Sequence, residues 1–124
     1  MVTKKRQFGN FGEKIAEKFL IKNGYRILTK NFYTKFGEID IVCSKVENDI
    51  NELFFVEVKT RIDGGIYNYP ENAVNFNKIY KMNKAAQIYL NKNNLTNIFY
   101  SFSCVAIILN KKEKNIKIKF FKRI

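Results

Sequence analysis

The chain contains no histidine and no tryptophan, and only two cysteines and one proline among its 124 residues. The absence of histidine excludes the side chain that most often serves as a general base. It also excludes imidazole metal ligands and serine–histidine nucleophile pairs. Cys43 and Cys104 lie far apart and form no Cys-x-x-Cys pair, so a thiolate metal site is not expected. We expect both to be buried core residues of a protein in a reducing compartment. Chemistry must then come from carboxylates, Lys, Arg, Tyr, Cys or a bound metal.

Long apolar runs are also missing. The longest, Cys104–Leu109, is too short to span a bilayer. The basic segment Met1–Arg6 is not followed by the apolar stretch of a signal peptide. We therefore expect a cytoplasmic protein with no membrane partner. The length suits a single domain over residues 1–124, with residues 1–8 as a basic N-terminal tail.

Acidic residues are scarce: 11 Asp and Glu stand against 23 Lys and Arg, a net charge of +12. Residues 1–63 carry 12 basic and 9 acidic side chains, whereas residues 64–124 carry 11 basic and 2 acidic ones. A surplus of this size usually reflects an anionic partner, most often nucleic acid. Solubility, or a genome that encodes Lys, Asn and Ile freely, is the alternative. We expect nucleic acid as the partner, and DNA before RNA.

Apolar periodicity predicts an α/β fold in the order α-β-β-β-α-β-β. Lys45–Glu52 is polar and is predicted as a hairpin connection. The fourth strand is expected to be buried on both faces, and the fifth, which alternates Ile and Lys, to be an exposed edge strand. The predicted helices are Asn10–Asn23 and Glu71–Asn91, and the predicted strands are Tyr25–Phe32, Gly37–Ser44, Leu53–Thr60, Phe99–Leu109 and Ile116–Phe121.

Two carboxylates occupy unusual places in these strands. Asp40 lies between two isoleucines and Glu57 between two valines. A buried charge without a partner costs several kcal/mol, so each needs a reason. Because alternate residues share a strand face, Glu38 is expected on the face of Asp40, and Lys59 on that of Glu57. If the two strands pair as a hairpin, Asp40 and Glu57 converge with Lys59 beside them.

Convergent carboxylate oxygens suit a hard cation such as Mg²⁺ or Mn²⁺, which polarises a phosphate and lowers the pKa of a bound water. Lys59 would orient that water or stabilise the developing charge. The alternative is a buried ion pair of Lys59 with Asp40 or Glu57, without catalysis. A single Glu-Val-Lys favours that alternative, because Glu and Lys alternate on many strands. A Glu-Val-Lys beginning seventeen residues after the Asp of Gly-Glu-Ile-Asp is far more specific.

A wider set of motifs surrounds these residues. They are Gly12–Glu13, Ala16, Gly24–Tyr25, Asn31, Gly37–Asp40, Phe55–Arg61, Ala73–Val74, Lys78, Ala86 and Tyr89–Leu90. With them, the chain resembles the YraN family, also called UPF0102, within the PD-(D/E)xK nuclease superfamily. The resemblance runs from about Gly9 to Leu109. It implies a restriction-endonuclease-like core with a mixed sheet between helices, and a metal-dependent nuclease related to Holliday-junction-resolvase-like proteins, with branched DNA as a candidate substrate.

The resemblance also implies roles for single residues. Asp40, Glu57 and Lys59 would be the signature catalytic triad, with Asp40 and Glu57 binding Mg²⁺ or Mn²⁺. Glu13 resembles an extra helical carboxylate of the metal site, and Lys78 a basic position on the helix after the triad. The family and fold suggest a nuclease without proving one, so a nucleic-acid-binding module without turnover is the alternative. A homodimer is compatible with branched DNA, which is two-fold symmetric.

Several assignments leave two interpretations open. Glu13 is either a metal ligand or the third residue of a capping box that begins at Asn10. Glu38 is either a metal ligand or a strand-edge carboxylate. Arg61 contacts a phosphate or pairs near Glu57, and we favour the phosphate.

Five positions bear on nucleic-acid binding. Lys78, Lys81 and Lys84 form either a solvated helix face or a track for a phosphate backbone, which we favour for Lys78 alone. Tyr67 and Tyr69 are more often loop packing than stacking platforms for bases.

Two departures from the family pattern stand out. Tyr33 occupies a position that is commonly Arg, so one phosphate contact is expected to be absent. Ser103 occupies a position that is commonly Asp. The triad itself is intact.

Overall fold

A computed structural model describes residues 4–62 and 76–124, without the side chain of Lys5. Within these residues the chain forms two helices and five strands, and the expected order α-β-β-β-α-β-β is confirmed. The helices are α1 (Lys4–Lys22) and α2 (Phe76–Lys92), and the strands are β1 (Arg26–Thr34), β2 (Gly37–Glu47), β3 (Ile50–Ile62), β4 (Phe99–Asn110) and β5 (Asn115–Phe121). Neither helix is long and apolar enough to cross a membrane.

Helix α1 begins earlier than expected. The sequence predicted a start at Asn10, but the helix begins at Lys4, so residues 4–8 of the expected tail are helical. The apolar spacing of Phe8, Phe11 and Ile15 continues the helical pattern in this direction. A predicted second helix over residues 71–91 is described from Phe76 onwards, and residues 71–75 lie outside the described part.

The connection between β2 and β3 is shorter than expected. We predicted a polar connection over Lys45–Glu52, and this was wrong, because Lys45 pairs with Glu52 inside the hairpin. The turn itself consists of Asn48 and Asp49, with φ angles of 52° and 63°. Positive φ at both central residues is typical of a type I′ turn, which matches the twist of the flanking strands.

The five strands form one mixed sheet in the order β1-β2-β3-β4-β5. Strand β2 runs antiparallel to both β1 and β3, β3 and β4 run parallel, and β5 returns antiparallel to β4. Helix α2 lies between β3 and β4 in the chain, as a parallel pair requires a long crossover. Strand β5 is an edge strand, as predicted.

The helices cover opposite faces of the sheet. On one face, Ala16 and Leu20 of α1 pack with sheet residues such as Ile41 and Val56. On the other face, buried residues of α2, among them Ala86 and Tyr89, pack with their own set of sheet residues. The predicted three-layer arrangement of helix, sheet and helix is therefore confirmed.

Helix α1 approaches β3 closely at Gly12. A Cβ atom at Gly12 would collide with the hydroxyl of Thr60 and would lie 3.1 Å from the Cβ of Thr60. Rotation of the Thr60 side chain removes the first contact but not the second. Gly9, one turn earlier on the same helix, has no atom within 4 Å of an added Cβ. Substitution by alanine is therefore expected to change the free energy of unfolding in opposite directions at Gly12 and Gly9.

Gly12→Ala is expected to lower the free energy of unfolding by about 1–3 kcal/mol, because the extra methyl overpacks the contact between α1 and β3. Gly9→Ala is the matched control and should raise it by about 0.5–1 kcal/mol, because alanine has the higher helix propensity and the site is open. Urea denaturation followed by circular dichroism measures both. Equal stabilisation by the two substitutions would show that α1 has room to accommodate a side chain at residue 12.

Candidate active site

A cleft opens where strand β2 separates from strand β3. Their pairing runs from the turn as far as Ile41, which lies opposite Val56. Just beyond this point, Oδ2 of Asp40 accepts a hydrogen bond of 2.7 Å from the backbone amide of Val58. The carboxylate of Asp40 thus takes the place that a strand carbonyl fills in a continuous ladder. Asp40 and Glu57 are only 6% and 4% exposed.

The break coincides with an irregularity in the neighbouring strand β1. Asn31 has a left-handed backbone with φ of 55°, a conformation that Asn tolerates better than most residues. The residues on either side of it face opposite helices. Lys30 forms an ion pair of 3.2 Å with Glu17 of α1, whereas Phe32 packs edge-on against Tyr89 of α2. Asn31 therefore interrupts the alternation of faces along β1.

Strand β2 shows the same interruption at Asp40. Ile41 belongs to the core under α1, whereas Ile39 belongs to the core under α2. Strict alternation would place both on one face. Glu38 and Asp40, which we expected on one face, line the same cleft. The sequence carried a signal for this irregularity only in Asn31, a residue that favours left-handed positions.

The cleft has a volume of about 460 Å³ and brings together the seven residues that the sequence assigned to catalysis, to metal binding or, for Arg61 and Lys78, to phosphate contact. Strands β2 and β3 contribute the central carboxylates and Lys59, and the two helices contribute from either side. Its lining consists of Arg6, Phe8, Gly9, Glu13, Glu38, Asp40, Glu57, Val58, Lys59, Thr60, Arg61 and Lys78. The expected convergence of Asp40 and Glu57 in a hairpin is thus present.

Two lysines contact the same oxygen of Glu57. The Nζ atom of Lys59 lies 3.1 Å from Oε1, and that of Lys78, on α2, lies 3.3 Å from it. The ion pair that we weighed as a purely structural alternative for Lys59 therefore exists. The other oxygen, Oε2, is buried and has no hydrogen-bond partner among the described residues. Buried polar atoms are nearly always satisfied, so this oxygen marks a place for a ligand, a water or an ion.

The carboxylates crowd one another. Burial, and after it the nearby charge of Glu57, raise the pKa of Asp40 to about 7, although the hydrogen bond from the Val58 amide opposes the shift. Glu13 and Glu38 add smaller repulsions. Three neighbouring carboxylates thus raise the pKa of one buried carboxyl group, and a bound cation would relieve their repulsion.

Glu13 lies in the middle of α1 rather than at its start. The capping-box interpretation is therefore wrong, because the third helical residue would have to lie near Lys4. Burial raises the pKa of Glu13, Arg6 lowers it, and Glu38 and Glu57 raise it again. Glu13 consequently belongs to the carboxylate group of the cleft.

No set of three or more Asp, Glu or Cys side chains in the described ranges is already close enough to enclose a metal ion. The carboxylates share a cleft and influence each other's protonation, but they do not form a finished cage.

Two arginines border the cleft. Arg61 donates from Nη1 to the backbone carbonyl of Thr60 at 2.8 Å. Arg6 donates from Nη2 to the hydroxyl of Tyr33 at 2.7 Å. Sequence reasoning missed Arg6, because it placed this residue in the N-terminal tail. Tyr33 occupies a strand position that is commonly Arg in the family. The guanidinium of Arg6 thus lies beside the position where the family usually carries one.

The remaining expectations concern residues away from the cleft. Ser103 is fully buried and donates to the backbone carbonyl of Lys122 at 2.6 Å, so it secures the C-terminal segment. Cys43 and Cys104 are buried as predicted. Burial raises the pKa of Cys43 to about 12, so this thiol is not a ready nucleophile. Tyr67 and Tyr69 lie outside the described residues.

Comparison with known proteins places the chain in a family. The model of the uncharacterised protein family UPF0102 matches residues 12–108. A UPF0102 protein of Clostridium tetani is 42% identical over 117 residues, covering 94% of this chain and 92% of the relative. A UPF0102 protein of Clostridium botulinum strain 657 is 43% identical over 118 residues, with coverage of 94% and 92%. The chain therefore belongs to the UPF0102 family.

Proposed function

We propose that this protein is a metal-dependent nuclease of the PD-(D/E)xK superfamily, to which the YraN relatives also belong, and that it hydrolyses phosphodiester bonds in DNA. The observation that carries the proposal is the meeting of Asp40, Glu57 and Lys59 in one cleft at the break between β2 and β3. Burying two carboxylates beside a lysine costs folding free energy, and a catalytic role would explain why the protein keeps them there.

The carboxylates fit a divalent cation. Asp40 and Glu57 would hold Mg²⁺ or Mn²⁺, because Oε2 of Glu57 has no hydrogen-bond partner in the described part of the chain, and burial and the charge of Glu57 raise the pKa of Asp40. Glu38 and Glu13 would add oxygens, directly or through water. The buried Oε2 of Glu38 also has no described partner. When bound, the cation would polarise the scissile phosphate and lower the pKa of an attacking water.

The cations of the cleft have separate tasks in this proposal. Lys59 would stabilise the negative charge that develops on the phosphoryl oxygens, since its ammonium lies beside the carboxylate pair. Lys78 reaches Glu57 from α2 and would bind a neighbouring phosphate of the backbone. Arg61 would hold a phosphate at the rim of the cleft.

The charge distribution favours nucleic acid as the substrate. The net charge is +12, and only 2 of the 11 acidic residues follow residue 63. Branched DNA is the substrate we favour within this class, and a homodimer would match its two-fold symmetry. DNA also provides the phosphodiester that the cleft is suited to receive.

A binding module without turnover is the second candidate. It is favoured by one observation, the pairing of Oε1 of Glu57 with both Lys59 and Lys78, which neutralises the carboxylate without any metal. In that case DNA binding should not depend on divalent ions.

The test of the proposed function is a cleavage panel of linear, single-stranded, flapped and four-way DNA, with RNA alongside. We expect cutting of at least one substrate with Mg²⁺ or Mn²⁺, none with EDTA, and none by Glu57→Gln. The glutamine keeps the size of the side chain but removes the charge that a metal requires. Cutting that persists unchanged in Glu57→Gln would identify a contaminating nuclease, and binding without cutting on every substrate would favour the module.

A further inference from the structure

A second cleft lies on the outer side of α2, beside the turn between β1 and β2. Its volume is about 470 Å³, and we call it the α2 cleft. It is lined by Phe36, Tyr80, Asn83, Lys84, Gln87 and Ile88. Phe36 belongs to the strand turn and the other five to α2, so two separate elements build its walls.

Aromatic rings are exposed along this side of α2. Phe76 and Tyr80, one helical turn apart, are 87% and 54% exposed. The buried side of the helix uses other residues, among them Ala86 and Tyr89. Phe36 completes the group from the strand turn. Large rings left in water beside one another are typical of a surface that receives a partner.

Lysines are interleaved with the rings. The ammonium of Lys84 lies 5.1 Å from the ring centre of Phe36 and 5.2 Å from that of Tyr80. The ammonium of Lys35 lies 5.2 Å from the same Phe36 ring. Lys81 is exposed one turn before Lys84. No acidic residue occurs in the sequence between Glu71 and Glu113, so α2 itself carries no negative side chain to balance these charges.

Rings with adjacent ammonium groups match one class of partner. Single-stranded nucleic acid offers unpaired bases, which stack on aromatic faces, and phosphates, which pair with lysines. An acidic peptide would satisfy the lysines but leave the rings without a planar partner. Duplex DNA would satisfy the lysines too, but its bases are already stacked on each other.

The α2 cleft is next to the candidate active site. Lys78, which contacts Glu57, precedes Lys84 by six residues, a rise of about 9 Å along a helix. An added Cβ at Gly37 would lie 4.0 Å from the Cβ of Lys81, so the turn that carries Phe36 touches α2. The next residue in the chain, Glu38, already lines the active-site cleft.

We propose that the α2 cleft binds unpaired bases of a DNA strand on Phe36 and Tyr80, while Lys35, Lys81 and Lys84 hold its phosphates. Lys84 would exchange its contacts with the two rings for a phosphate. The bases bound there would lie close to the active-site cleft, because Glu38 follows Phe36 by two residues and lines that cleft. Their role next to the scissile bond rests on the proposed nuclease function, whereas the binding itself does not. The substrate class is then DNA with a single-stranded segment beside the cleavage point.

The first test is binding of a labelled oligothymidylate in EDTA, which prevents cleavage. Tyr80→Leu should raise the Kd for this single strand about 5- to 100-fold, because a stacking ring is lost. The Kd for a duplex of equal length should change less than about twofold, since the lysines are untouched. Phe99→Leu is the matched control, because Phe99 is an exposed ring beside Glu52, at the opposite end of β3 from Lys59, and should change neither Kd.

The second test uses the lack of tryptophan in the chain. Fluorescence of the Tyr80→Trp variant should be quenched by oligothymidylate, whereas that of Phe99→Trp should not. An unchanged single-strand Kd in Tyr80→Leu, or an equal loss for single strand and duplex, overturns the proposal. If single-strand binding depends on Tyr80 but no DNA is cleaved, the binding site is supported and the proposed nuclease function is overturned. If Tyr80→Leu leaves the cleavage rate unchanged on every substrate, the nuclease function stands but the role of the α2 cleft in it is overturned.

Discussion

Lys59→Met is expected to lower kcat for DNA cleavage about 100- to 1,000-fold, while KM stays within about threefold. Lys59 lies on β3, two residues after Glu57, and its ammonium is 3.1 Å from Oε1 of that carboxylate. A charge in this place acts mainly when negative charge develops on the phosphate, so its loss should affect the transition state more than substrate binding. Methionine keeps the volume and the unbranched stem of the lysine.

Lys78→Met is the matched control, because Lys78 contacts the same oxygen of Glu57 at 3.3 Å but from α2. We expect it to weaken DNA binding about uniformly across substrates and to reduce the slope of log Kd against log salt by about 1. Steady-state kinetics and salt titrations on the preferred substrate measure both variants. Equal losses of kcat in the two variants would contradict a specific role for Lys59 and indicate that both lysines only neutralise Glu57.

The sequence predicted the positions of the central residues well, because each prediction rested on local periodicity. Asp40 and Glu57 stand in apolar strands, and alternate residues of a strand share a face, so Lys59 had to accompany Glu57. Antiparallel pairing of two strands adjacent in the chain is the commonest arrangement, and it brings Asp40 towards Glu57. Those three inferences need no knowledge of distant parts of the molecule.

Other features depend on contacts that no local pattern records. The face reversal at Asn31 arises from a single left-handed residue, and its consequence appears on the neighbouring strand at Asp40. Arg6 reaches Tyr33, 27 residues later in the chain, only because α1 begins at Lys4. The basic residues at the start of α1 led to the prediction of an N-terminal tail there. Phe36 and Tyr80 likewise line one cleft only because the strand turn and α2 meet in space.

Asp40→Asn is expected to raise the free energy of unfolding by about 2–4 kcal/mol at pH 8 without divalent ions. Burial and the charge of Glu57 raise the pKa of Asp40 from 3.8 to about 7. Between these values the folded state binds more protons than the unfolded chain, so stability falls as the pH rises from about 4 to about 7. Above pH 7 the folded protein carries the full cost of the buried charge. Asparagine removes that charge and keeps an oxygen to accept the Val58 amide.

Urea denaturation of both proteins at pH 5 and pH 8 measures this effect, and the stability difference between them should be markedly smaller at pH 5 than at pH 8. Asp49→Asn, in the exposed turn between β2 and β3, is the matched control and should change stability little at either pH. Mg²⁺ should then stabilise the wild type and barely affect Asp40→Asn, because a cation that binds only the folded state adds to its stability. If Asp40→Asn destabilised the protein at pH 8, the carboxylate would be held by a favourable partner, and the crowding that supports a metal site would be absent. A more stable protein that has lost cleavage would instead show that Asp40 is retained for chemistry at the expense of stability.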